Sequence, residues 1–77
     1  MDTHNIHGTE VGFHSDAKDA SEFLKNGVHS HVAQGYLQTA KEQGESHFYN
    51  EKGEKFKIIH TEEDGKDSFS VEKSHHY

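Results

Sequence analysis

Three short runs rich in aromatic and β-branched residues, Ser46–Asn50, Glu54–Thr61 and Asp67–Lys73, are separated by glycine-bearing turns, and no other feature limits the fold of this chain as tightly. The turns predict a register. If Glu51-Lys52-Gly53 is a three-residue loop with Gly53 in the left-handed region, Asn50 faces Glu54 and Phe48 faces Phe56. If Asp64-Gly65 is a two-residue type I′ turn, Glu63 faces Lys66, Ile58 faces Val71 and His60 faces Phe69. Chosen independently, the two turns place Phe48, Phe56, Ile58, Phe69 and Val71 on one face. A slip of one residue in either hairpin would scatter them across both faces.

Upstream, helical spacing takes over. Ala17, Ala20, Phe23 and Leu24 follow a capping candidate at Ser15 or Asp16, and Asn26-Gly27 reads as a left-handed stop. Ser30 reads as the cap of a second helix carrying Val32, Ala33, Tyr36, Leu37 and Ala40 on one stripe and ending at Gly44. Gly35 within it marks either a close helix–sheet approach or a break. Thr9–Phe13 alternates and is a candidate short edge strand, weakened by Gly12.

The expected fold is therefore α+β: two short helices packed on one face of a three-stranded antiparallel meander, with residues 9–13 as an optional strand ahead of them. Residues 1–8, polar apart from Ile6, read as a flexible lead, 9–73 as one domain and 74–77 as a frayed tail. The 77 residues leave room for one domain, and 14 of them are Leu, Ile, Val or Phe. That share lies close to the level below which chains stay disordered, but the clustering of these residues in periodic patterns favours a folded core.

Charge and residue types exclude several functions. The chain has no Cys, so disulfides and thiolate metal sites are ruled out. All eight basic residues are Lys, and 14 acidic residues bring the net charge to −6. Without the forked donors of Arg, and with a negative field, binding to nucleic acid is not expected. No apolar run reaches membrane-spanning length, and the start of the chain lacks the basic-then-apolar pattern of a signal, so no membrane role and a cytoplasmic location are expected. There is no nucleophile elbow, P-loop or dinucleotide fingerprint, so neither an enzyme nor a cofactor is expected.

Nine His residues stand out in 77; protonating all of them would carry the net charge from −6 to +3. His4 and His7, His29 and His31, and His75 and His76 form close pairs in sequence, and they are the ligand candidates of a weak divalent-metal reading. None matches a known ligand spacing. His60 falls on the apolar face opposite Phe69 and is the pH-sensitive core candidate, satisfied by a helix carbonyl or water. Buried neutral, it would make the fold lose stability below about pH 6, because the unfolded chain would take up the proton more readily.

The opposite sheet face would carry His47, Tyr49, Lys57 and Ile59, with no segment left to cover them unless residues 9–13 lie nearby. That surface suggests a non-enzymatic interaction or regulatory module for a protein partner, basic by charge complementarity. The chain itself would be a monomer or a weak homodimer through a sheet edge. The alternative is a His-rich protein that binds divalent metal or responds to pH.

Overall fold

The computed structural model describes residues 2–74. Five strands form one mixed sheet: β1 (Asp2–Ile6), β2 (Thr9–Phe13), β3 (Glu45–Tyr49), β4 (Lys55–Glu63) and β5 (Lys66–Lys73), in the spatial order β1-β2-β5-β4-β3. Between β2 and β3 the chain makes a 3-10 turn (Ser15–Ala17), helix α1 (Lys18–Glu22), a π turn (Phe23–Gly27) and helix α2 (Ser30–Gln43). The class is α+β, but the three-stranded meander is overturned.

The meander itself has the register the turns predict. Phe48 pairs with Phe56, Ile58 with Val71, His60 with Phe69, and Glu63 with Lys66. Gly53 has φ of +81°, and Asp64 and Gly65 have φ of +53° and +77°, as a left-handed loop residue and a type I′ turn require. Replacing Gly65 by Val should cost about 1–2 kcal/mol, since a β-branched residue resists positive φ. Urea unfolding of the variant checks this, and an unchanged midpoint would count against the turn.

What the meander lacked is its neighbour. Residues 1–8, read as a lead, contain strand β1, and the residues 9–13 strand is no edge. Ile6 and Thr9 flank a two-residue turn in which His7 and Gly8 both have positive φ, 50° and 94°, so β1 and β2 make a hairpin. His is among the residues that tolerate this region. β2 then lies parallel to β5, pairing Val11 with Phe69 and Phe13 with Val71. Burial explains the match. Those four side chains lie on the same face and are all 9% exposed or less, so joining the hairpin here completes the apolar layer.

The helices cover that face alone. Ala17, Ala20 and Leu24 from the first helical segment and Ala33, Leu37 and Ala40 from α2 meet Ile6, Val11, Phe13, Phe48, Phe56 and Ile58 in one core. Phe48 stacks on Phe23, Tyr36 and Phe56 at centroid distances of 5.9, 5.3 and 5.5 Å.

Three helix signals are corrected. Ser15 and Ser30 are the first helical residues and not caps; His14 and His29 occupy the cap positions without side-chain hydrogen bonds. Gly27 is not left-handed. Its lack of a side chain is needed because a Cβ there would come within 2.8 Å of the Phe23 ring. Gly35 neither breaks α2 nor allows a close approach: a Cβ there would meet open space. The C-terminal stop at Gly44 is as expected, with φ of +92° and its N–H donating to the Ala40 carbonyl. Ser74 donates its N–H to Lys55, and the rest of the expected tail, residues 75–77, lies outside the described residues.

Candidate interaction surface

Because side chains alternate along strands, filling one face of the sheet with core residues puts the intervening ones on the other. No helix among the described residues covers that second face. At the β3 end it carries Glu45, His47 and Tyr49, paired with Ile59, Lys57 and Lys55 respectively. The four residues predicted as a partner surface, His47, Tyr49, Lys57 and Ile59, therefore lie together on two adjacent strands. Tyr49 is 58% exposed, the large apolar side chain most open to solvent among the described residues, while Ile59 is half-buried by its neighbours. His47 Nε2 donates to Glu45 at 3.0 Å, and Lys57 Nζ lies 3.9 Å from the same carboxylate. Such solvent-exposed pairs hold side chains in place more than they stabilise the fold.

β3 also ends the sheet. Asn50 donates to the Glu54 carbonyl and His60 to the Gly44 carbonyl, so the even-numbered residues of this segment turn their backbone toward β4. Glu45, His47 and Tyr49 accordingly direct their N–H and C=O groups to the open edge. That edge borders the exposed tyrosine.

His60 lies opposite Phe69 as its register predicts, but with another partner. It lies on the helix-covered face with its side chain 11% exposed, and its hydrogen-bond partner is the Asp67 carboxylate on the neighbouring strand. Nε2 donates to Asp67 Oδ1 at 2.9 Å, across the diagonal of the β4–β5 ladder. Lys41 from the last turn of α2 meets the other oxygen of Asp67 at 3.1 Å. Both bonds hold the Asp67 carboxyl below the usual range, the one from His60 first and that from Lys41 second. The Glu54 carboxyl is lowered too, first by its bond from Asn50 and then by Lys73. A depressed carboxyl stabilises the fold above its unfolded value and loses that contribution as pH falls through its folded one, so both act below about pH 4. Since His60 donates to a carboxylate, protonating it keeps the bond, and the expected loss of stability below pH 6 does not follow from this residue.

Beside this network a groove of about 540 Å³ opens between the β1–β2 turn, α2 and β5, with Glu10, Gln34, Gln38, Lys41 and Asp67 along its walls. Its carboxylate at Asp67 is already bonded twice, and the side chains around it are largely polar.

The paired histidines do not converge. His4 Nδ1 lies 3.0 Å from Lys25 Nζ, and His7 Nε2 lies 2.9 Å from the Leu24 carbonyl oxygen. The His29 and His31 rings stack at 5.7 Å on an exposed turn, and His75 and His76 lie outside the described residues. Among the described residues no group of three or more His, Asp or Glu side chains is arranged to hold a metal ion. Nor is any helix among them long and apolar enough to cross a membrane.

Sequence reasoning missed Lys25, Lys41 and Asp67. The register placed Asp67 on the same face as His60, a signal that could have found that pair. Lys25 is 21 residues from His4, and no local pattern links them. Compared with known proteins, the chain matches no family model, no curated protein and no solved structure.

Proposed function

We propose that the protein is a small non-enzymatic interaction module that receives a protein partner on the uncovered sheet face and the adjoining edge of β3. The observation that carries this reading is Tyr49, 58% exposed on an edge strand whose odd-numbered backbone groups point outward. An added strand takes main-chain bonds from such an edge, and neighbouring side chains supply specificity. Tyr49 is the natural anchor, being an aromatic residue of the kind that dominates binding energies. His47, Lys57 and Ile59 would frame it. The net charge of −6 favours approach of a basic partner and raises its rate of encounter.

The test is capture of a stoichiometric partner by the tagged protein, followed by affinity measurements with purified components. Tyr49→Ala should weaken binding about tenfold or more while leaving the unfolding midpoint nearly unchanged. Equal affinity of the parent and Tyr49→Ala would remove this surface from the reading, and resonance mapping would then have to place the partner elsewhere.

A further inference from the structure

Hydrogen-bond direction assigns the donor or acceptor role of each bonded histidine nitrogen. His7, His47 and His60 contact a carbonyl or carboxylate oxygen, which accepts, so each ring nitrogen donates and the bond survives protonation. His4 is the opposite case. Its Nδ1 faces a lysine ammonium, which has donors and no acceptor, so Nδ1 must be the bare nitrogen of a neutral ring carrying its proton on Nε2. Among the described residues His4 is the bonded histidine whose contact a proton destroys, leaving two cations about 3 Å apart.

We infer that His4 and Lys25 form an acid-sensitive latch between the N-terminal hairpin and the helical layer. β1 is an outer strand of five residues, paired with β2 on one side. Two histidines tie it to the π turn: His4 through Lys25, and His7 through the Leu24 carbonyl, one of the carbonyls the end of a helical segment leaves without an internal partner. Acid breaks the first tie and spares the second, so β1 loosens from its His4 end while its turn stays anchored.

The surroundings of His4 shape the response. From the π turn it faces Lys25, and one turn back Glu22 is bonded by Asn26. From β2 its neighbours on the same face are Thr9, Val11 and Phe13, none titratable, with the Phe13 ring edge-on at 5.5 Å. From α2, uncharged Gln34 reaches the His7 carbonyl at 3.4 Å. Its own strand contributes the exposed carboxylate of Asp2, two residues along on the same face. Glu10, opposite Asn5, lines the groove between the β1–β2 turn, α2 and β5. The carboxyls of Asp67 and Glu54 titrate well below this window, so the two effects separate by pH.

The test is NMR on the full chain. At pH 7.5 long-range ¹⁵N–¹H spectra should show His4 with its proton on Nε2. Between pH 7 and pH 5.5, protection of the Asp2, His4 and Ile6 amides, corrected for intrinsic exchange, should fall about threefold or more as the latch opens. Lys25→Met removes the second cation and should flatten that dependence. His4→Gln keeps an acceptor at every pH and should also flatten it. A proton on Nδ1 at pH 7.5, protection unchanged at pH 5.5 in the parent, or a fall in Lys25→Met as large as in the parent would each overturn the latch.

Discussion

Replacing Ile6 by Ala should destabilise the protein by about 2–5 kcal/mol, the range for truncating a fully buried Ile. The size of this effect distinguishes two views of the N-terminus. On a loose lead of eight residues, an isolated Ile contributes little, and its truncation would fall within about ±0.5 kcal/mol. In the five-stranded sheet Ile6 is 0% exposed and closes the core beside Val11 and Leu24. A domain of 77 residues has a total stability of about 4–12 kcal/mol, so the loss would remove a large part of it. Urea unfolding of the variant provides the measurement, with Tyr49→Ala as the exposed comparison. A change below about 0.5 kcal/mol would mean that β1 is not packed as described.

Phe56→Ala should be more damaging still, at about 3–5 kcal/mol. Phe56 is 1% exposed on β4, between β3 and β5, where it pairs with Phe48 and Lys73. Its ring stacks on Phe48, which in turn carries Phe23 and Tyr36, so removing it leaves a cavity that those rings cannot close without giving up their own contacts. Urea unfolding of the variant should show a midpoint far below that of the parent. A cooperative transition within about 1 kcal/mol of the parent would show that the aromatic stack contributes little to holding the sheet to the helices.

The candidate surface was legible because it follows from period-two alternation. Once Phe48, Phe56 and Ile58 are assigned inward, His47, Tyr49, Lys57 and Ile59 must face outward, and no long-range information is needed. The His4–Lys25 contact was not legible. It joins a strand to a helical turn through two side chains whose neighbours in sequence do not signal the pairing. The partner of His60 was half legible: the register set the face, but it did not reveal that Asp67 would be drawn in and steadied by Lys41 from α2.

The helical spacing from Ala17 to Ala40 and the register of β3, β4 and β5 were determined by the sequence itself, because each rests on residues close along the chain and on turns whose positive φ angles Gly53, Asp64 and Gly65 can adopt. The sheet order was not. Val11 lies opposite Phe69, 58 positions away in the chain, and the parallel pairing of β2 with β5 is favoured by the apolar surface it removes from water once the helices are in place. β1 likewise shows little strand signal of its own. Asp2, Thr3 and Asn5 are polar and exposed at the sheet margin, and it is the burial of Ile6 at the far end, made possible by the assembled core, that decides where the strand lies.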